Sequence, residues 1–185
     1  MAEISKLISK FRPELSPYED LYKYFHSHPE LSHQERKTAA KIADEISKLN
    51  AFEIHTSIGG HGLAAVFKNG PGTTVLLRAD IDALPVQEET GLAYASTVRM
   101  KDHSGAEHPV MHACGHDMHI TGLLAAAELL VKAKNSWSGT LILCFQPAEE
   151  RGDGARAMVK DGLYDKIPLP DVLLGAHVMP FRAGM

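Results

Sequence analysis

Apolar side chains recur at two different spacings along the chain, and the two spacings alternate. Helical spacing predicts helices over residues 16–28, 34–49, 117–134 and 154–160. Nearly continuous apolar runs predict strands over residues 63–67, 73–78, 140–145 and 171–176. Residues 83–111 follow neither spacing and are predicted to form a long irregular connection. Because strands and helices alternate, we expect a layered α/β fold.

Composition narrows the class of protein without identifying it. The chain has 185 residues, of which 44% are hydrophobic and 23% charged, and this balance excludes a disordered chain. The net charge of −4 and the lack of a basic run give no reason to expect a nucleic-acid partner. The longest apolar stretch, residues 120–131, is shorter than the roughly 20 residues that span a bilayer, so no membrane partner is expected. With two cysteines and no apolar signal region at the start, we expect a cytoplasmic protein.

Ionisable side chains follow three of the predicted strands at the point where each strand ends. Asp80 and Asp82 follow the second strand, Glu149 and Glu150 the third, and His177 the fourth. In open α/β sheets, ligands bind beyond the carboxyl ends of the strands. If these strands are parallel, the five side chains meet in one cleft.

A thiol and an imidazole lie next to each other in the segment HACGHDMH, just before the long predicted helix. Cys114 and His116 flank Gly115, where the backbone can turn tightly. Thiolate, imidazole and carboxylate together suit zinc, manganese, cobalt, nickel or iron and disfavour calcium and magnesium. Taken alone, the pair also fits a buried cysteine beside surface histidines. A role for Cys114 as a nucleophile, with a distant base such as His177, stays open.

Adjacent carboxylates at a strand end indicate a cation nearby, because two such charges repel each other. One of Glu149 and Glu150 can bind a metal while the other deprotonates an attacking water. The alternative is a solvated acidic turn next to Arg151. For Asp80 and Asp82, metal ligation and support of a ligand imidazole are equally compatible with the pattern, and so is a plain turn before the following proline.

The other histidines and the second cysteine receive simpler interpretations. We expect His112 and His119 to support the site rather than to bind metal. Cys144 lies inside an apolar strand and is predicted to be a core residue. Surface or loop positions are expected for the remaining seven histidines, which are His26, His28, His33, His55, His61, His103 and His108.

Taken together, these motifs resemble a known family, the aminoacylase-like metallopeptidases. That family includes hippurate hydrolase, N-acetyl-diaminopimelate deacetylase and the plant indole-acetyl-amino-acid hydrolases. The matching segments are HSHPELSHQE, LLRADIDALPVQEETGLAYAST, VMHACGHDMH, GTLILCFQPAEE, GDGARAMVKDG and LLGAHVMP, in that order. The resemblance implies a zinc-peptidase-like α/β/α catalytic domain with a mostly parallel central sheet.

The resemblance also implies a role for each candidate site residue. It gives two divalent transition-metal ions (zinc, manganese, cobalt or nickel) as the cofactors. Glu149 is implied as the general base in the hydrolysis of the amide bond of N-acyl amino acids, and Asp82 as a supporting residue. Asp80 is placed outside the set of metal ligands. The metal ligands implied are Cys114, His116, Glu150 and His177.

Length separates this chain from the family that it resembles. Members are longer, with a lid and dimerisation domain inserted after the HVMP segment and a further histidine ligand beyond it. We therefore expect residues 1–185 to be the N-terminal portion of a catalytic domain, without the lid and the C-terminal part. A full-length form would be a homodimer through the lid. The alternative function is a truncated or non-catalytic metal-binding domain, whereas a redox role for Cys114 and Cys144 is disfavoured by their separation along the chain.

Overall fold

The computed structural model of the protein describes residues 2–179, 181 and 182, and these form two sheets and six α-helices. The strands are β1 (Glu53–Ile58), β2 (Gly62–Asn69), β3 (Thr74–Asp80), β4 (Arg99–Lys101), β5 (Glu107–Pro109), β6 (Gly139–Gln146) and β7 (Val172–Gly175). The helices are α1 (Ala2–Phe11), α2 (Ser16–Ser27), α3 (Arg36–Lys48), α4 (His116–Lys132), α5 (Gly154–Lys160) and α6 (Leu163–Lys166), and a short 3-10 helix covers Lys134–Ser136.

The main sheet has five strands in the order β1-β2-β6-β3-β7. β3 runs parallel to both β6 and β7, whereas β2 is antiparallel to β1 and to β6. Four of the five strands therefore point in one direction, which confirms the predicted mostly parallel sheet. Asp80 pairs with Gln146 in the register of β3 and β6. The carboxyl ends of these two strands consequently lie level at one edge.

Side chains on the two faces of the sheet enter two separate cores. Leu143 and Phe145 face α2, α3 and α4, where they join a cluster that includes Phe25 and Leu124. Ile142 lies on the other face, in a cluster with residues of α5 and α6. This alternation follows from the two-residue period of a strand. Each fully buried large apolar side chain contributes about 1.5–3 kcal/mol, so both helical layers are held firmly to the sheet.

Apart from the short helix α6 and the 3-10 helix, three parts of the structure differ from the sequence-based expectations. The first is α1, a helix over a charged segment where none was expected. The second is β1, a mostly half-exposed edge strand that lacks a clear apolar alternation. The third is a hairpin of β4 and β5 inside the predicted irregular connection.

The apolar strand β7 forms the other edge of the sheet, and its Leu173 and Leu174 are each 54% exposed. Within the described residues, we find no helix long and apolar enough to cross a membrane.

Candidate metal centre

The candidate site lies at the carboxyl edge of β3, β6 and β7, beside the first turn of α4. β3 ends at Asp80, and β6 leads through residues 147 and 148 to Glu149 and Glu150. β7 leads to His177, and α4 begins at His116. The parallel arrangement of the three strands thus places the predicted side chains around the start of one helix.

A left-handed turn at Gly115 allows this helix start to approach the segment after β7. Gly115 has φ of 74° at the position that precedes α4. A Cβ at this position would lie 2.5 Å from Cγ2 of Val178, which is closer than side chains tolerate. Glycine is therefore required twice, for its backbone conformation and for the close approach. The turn brings Cys114 and His116 next to His177.

His116 belongs to each group of described side chains whose ligand atoms lie close enough together to hold a metal ion. Contacts on the Nδ1 side of its ring set its orientation. Its Nδ1 donates a hydrogen bond to the carbonyl oxygen of Asp82 at 2.9 Å. The Asp82 carboxylate lies 3.5 Å from the same nitrogen. Because Nδ1 carries the proton, the lone pair of Nε2 points away from Asp82. Nε2 lies 3.8 Å from Glu149 and 3.9 Å from Glu150.

The two adjacent glutamates differ in exposure and in contacts. The side chain of Glu150 is 16% exposed, and that of Glu149 is 37% exposed. The backbone N–H of Glu150 donates to the Asp82 carboxylate at 3.1 Å, which ties the turn to the end of β3. Among the described residues, neither Oε1 of Glu150 nor Nε2 of His116 has a hydrogen-bond partner, although both are buried. Buried acceptors that face each other without a donor are expected where a cation binds.

Cys114 and His177 complete the cluster on its open side. Ligand atoms of Cys114, His116 and His177 all lie within 4.8 Å of one another. A hydrogen bond with Glu150, burial and the nearby carboxylates raise the pKa of the Cys114 thiol to about 11. In the protein alone this thiol is therefore protonated at neutral pH, and a cation that offset the negative charge around it would favour the thiolate.

His119 contacts His177 and the residue that follows it. The two rings meet edge to face, with centroids 4.7 Å apart. Nε2 of His119 accepts a hydrogen bond from the N–H of Val178 at 2.9 Å. Burial, with His116 and His177 nearby, lowers the pKa of His119 to about 4, so the ring stays neutral and can accept this bond.

Asp80 lies at the inner side of the cluster and has a cationic partner of its own. Its carboxylate pairs with Arg78, whose Nε also donates to Gln146 at 2.7 Å. Burial raises the pKa of Asp80 to about 6, although Arg78 and His116 oppose the shift. An oxygen of Asp80 also lies within 4.8 Å of ring nitrogens of His116 and His119. The position fits a supporting acceptor, and the same distances allow a ligand.

The surface position expected for His26 is wrong. His26 is buried, with Nδ1 2.6 Å from Asp117 and Nε2 3.0 Å from Glu88. Burial lowers the pKa of His26, but the hydrogen bonds with these two carboxylates outweigh it and raise the pKa above its ordinary value. The bridge ties α2 to the first turn of α4 and to the long connection. The sequence offered no signal for it, since the partners lie 91 and 62 residues away along the chain.

The donor set of the cluster is one that binds transition metals. It contains a thiol, imidazoles and carboxylates, and ligand atoms of His116, Glu149 and Glu150 form a second group within 4.8 Å. Such mixed donors match zinc, manganese, cobalt or nickel better than calcium or magnesium. The fold and the cluster together define a layered α/β/α protein with a candidate metal centre at the carboxyl edge of its sheet.

Comparison with known proteins then identifies the family. Residues 76–184 match peptidase family M20/M25/M40, which is more than half of the chain, so the chain belongs to this family. The family predicted from the motifs is thereby confirmed.

Similar proteins carry hydrolase names and share the fold. Hippurate hydrolase of Campylobacter jejuni is 42% identical over 165 residues, which cover 89% of this chain and 40% of that protein. N-acetyl-L-cysteine deacetylase of Bacillus subtilis is 40% identical over 158 residues, covering 85% and 35%. The crystal structure of the Bacillus subtilis YXEP protein, described as a dinuclear metal binding peptidase, matches with a TM-score of 0.77 and 33% identity over 93% of this chain and 44% of that one. The chain thus spans about two fifths of the length of these relatives.

Proposed function

We propose that the protein is a metal-dependent amidohydrolase that cleaves the amide bond of N-acyl amino acids. The observation that carries this proposal is the pair of buried, unpartnered acceptors, Nε2 of His116 and Oε1 of Glu150, 3.9 Å apart. The names of the relatives, hippurate hydrolase and N-acetyl-L-cysteine deacetylase, support the class of substrate.

Four side chains would hold the metal ions. Their ligand atoms would be Sγ of Cys114, Nε2 of His116, a carboxylate oxygen of Glu150 and a ring nitrogen of His177. These residues lie in two neighbouring groups that share His116. A related structure described as a dinuclear metal binding peptidase supports two ions rather than one. When bound, such ions act as Lewis acids and lower the pKa of water.

Glu149 is the group that would move the proton. Its carboxylate is more exposed than that of Glu150, and it lies 3.8 Å from Nε2 of His116. Glu149 takes the proton from the attacking water and returns it to the nitrogen of the leaving amine. Asp82 keeps His116 in the required tautomer through the carbonyl that accepts from Nδ1.

A cleft next to the cluster has room for the acyl group or the amino acid. It has a volume of about 530 Å³ and is lined on one side by Cys114 and His177. Tyr22, His112 and Met179 form part of its other walls. A volume of this size accommodates a small N-acyl amino acid.

The test compares the metal-loaded protein with its Glu149→Gln variant. Metal content is measured by elemental analysis, and hydrolysis is followed with hippurate and a series of N-acetyl amino acids. We expect both proteins to bind metal equally, and the variant to lose at least about 100-fold in kcat, because a general base contributes about 10²–10⁴-fold. Glu89→Gln is the matched control, since this exposed carboxylate lies outside the cluster.

The outcomes separate the two functions under consideration. Normal turnover by the Glu149→Gln protein would reject Glu149 as the base. Bound metal without hydrolysis of any of these substrates would replace the proposal with a metal-binding domain that lacks hydrolase activity. Absence of metal binding would reject both.

A further inference from the structure

We infer that Glu35, far from the cluster in sequence, is a positioning residue that holds the turn carrying Glu149 and Glu150. This inference rests on the proposed function of that turn as a metal and proton-transfer element. Glu35 itself does not touch the cluster. It acts through the backbone of Ala148, the residue immediately before the two glutamates.

The carboxylate of Glu35 is fully buried and is used for contacts outside its own helix. Glu35 occupies the position that precedes α3, where a polar side chain usually caps the helix, but it makes no such cap. Its Oε1 instead accepts hydrogen bonds from the N–H of His33 at 2.9 Å and of Ala148 at 2.8 Å. The contact with Ala148 spans 113 residues of the chain.

The residue that Glu35 holds has an unusual backbone conformation. Ala148 has φ of 47°, a left-handed value that is unfavourable for any residue with a Cβ. It is fully buried, and its carbonyl accepts from the N–H of Gly154 at 3.3 Å. Such strain persists only where surrounding contacts impose it. The hydrogen bond from Ala148 to the buried Glu35 carboxylate is one of the contacts that impose this conformation, together with the bond from Gly154 to the Ala148 carbonyl.

Glu30 provides an internal comparison, because it is a second buried carboxylate in the same segment. Its Oε2 accepts from the N–H and the hydroxyl of Thr38, at 2.8 and 2.9 Å. Glu30 thus caps the first turn of α3, while Glu35, five residues later, reaches across to β6. Loss of either carboxylate destabilises the protein, but only loss of Glu35 removes support from the turn at Ala148.

Three variants of Glu35 separate position from charge. Glu35→Ala removes the acceptor, and Glu35→Asp keeps the charge but shortens the reach by one methylene. Glu35→Gln keeps the reach and an acceptor oxygen but removes the charge. If Glu35 acts by holding Ala148, the Asp variant must be worse than the Gln variant. Glu30→Ala is the control for a general loss of stability.

The first measurement is the affinity for Zn²⁺, obtained by competition with a chromophoric chelator at a temperature where circular dichroism shows each variant folded. We expect Glu35→Ala and Glu35→Asp to bind roughly tenfold or more weakly than the unchanged protein, as losses of supporting contacts do. Glu35→Gln and Glu30→Ala should stay within about threefold. Equal weakening in Glu35→Ala and Glu30→Ala, or a Gln variant weaker than Asp, would overturn the inference. If Glu35→Ala does not fold, the order of the Asp and Gln variants still decides.

The second measurement is hydrogen exchange of the backbone over residues 148–152 without metal, which does not depend on the proposed function. Faster exchange in Glu35→Asp than in Glu30→Ala supports the positioning role, and identical exchange contradicts it. If the unchanged protein binds no Zn²⁺, the proposed function fails while this measurement still tests Glu35.

Discussion

Replacement of Asp82 by alanine tests how far the candidate site and the stability of the fold depend on one buried carboxylate. Asp82 is fully buried and accepts hydrogen bonds from the hydroxyl of Ser32 at 2.7 Å and from the N–H of Glu150 at 3.1 Å. Alanine would leave both donors without an acceptor. Each buried, unsatisfied donor costs about 1–3 kcal/mol, so we expect the free energy of unfolding to fall by about 2–6 kcal/mol.

The same substitution should change how stability depends on pH. Burial raises the pKa of Asp82, but the hydrogen bonds from His116, Ser32 and the Glu150 turn outweigh it and lower the pKa below its ordinary value. A group with a lowered pKa contributes stability above its unfolded pKa and loses it as the pH falls through the folded value. The difference in the free energy of unfolding between the unchanged protein and Asp82→Ala should therefore be largest at neutral pH and smaller in acid.

Urea unfolding followed by circular dichroism measures both effects. Asp161→Ala is the matched control, because Asp161 also accepts a backbone N–H, from Gly59 at 2.8 Å, but is exposed. The control should lose no more than about 1 kcal/mol, since water replaces an exposed acceptor. Metal affinity should fall about 10–100-fold in Asp82→Ala only, because the Glu150 turn loses its acceptor and His116 loses the carboxylate 3.5 Å from its Nδ1. If the two variants prove equally stable at neutral pH, the reasoning from buried hydrogen bonds is wrong.

Three further predictions concern other parts of the site. Gly115→Ala should lower the free energy of unfolding and weaken metal binding, because the added Cβ meets Val178 in a left-handed turn. The control is Gly91→Ala, where φ is 71° and the space around the residue is open. This control should lower the free energy of unfolding by only about 1–2 kcal/mol, from backbone strain. Metal affinity should rise with pH between about pH 6 and 8, because metal binding displaces the proton of the Cys114 thiol. Cys114→Asp should therefore reduce the slope of log affinity against pH by roughly one proton. An unchanged slope, measured by competition with a chelator, would contradict this prediction. Because the pKa of His26 is raised in the folded protein, its contribution to the free energy of unfolding is complete below pH 6.5 and declines as the pH rises through the folded pKa. In urea unfolding, the free energy of unfolding of His26→Gln should therefore depend less on pH than that of the unchanged protein.

Sequence patterns predicted the strands in which apolar residues follow one another, whether the structure buries them, as in β6, or leaves them exposed, as in β7. β3 and β6 are almost continuous in apolar residues, and a run of that kind has few alternatives in a domain of this size. α4 is buried along much of its length and was predicted within two residues at its C-terminal end. Polar residues at the ends of parallel strands were predicted to meet, and the structure brings ligand atoms of both Glu150 and His177 within 4.8 Å of His116.

The parts that were missed owe their structure to contacts with distant residues. β1 pairs with β2 at one edge of the sheet, and its side chains are mostly half-buried or exposed, so neither period appears in its sequence. The hairpin of β4 and β5 is short, and its side chains are exposed or half-buried. His26 looked like a surface residue because a histidine near a helix end has no local reason to be buried. Its two carboxylate partners come from other elements of the fold.

The chemical identity of the site residues and the direction in which their side chains point therefore have different origins in the sequence. The chemical identity of the donors is local, since Cys114 and His116 belong to one short segment and Glu149 and Glu150 to another. The direction of the two glutamates is supported by buried carboxylates, because that of Asp82 accepts from the N–H of Glu150 and that of Glu35 accepts from the N–H of Ala148. A change at a supporting carboxylate can thus abolish the alignment while every donor remains in place. Inspection of the donors alone would not reveal such a loss, so the supporting carboxylates must be checked along with the donors when a relative is judged able to bind metal.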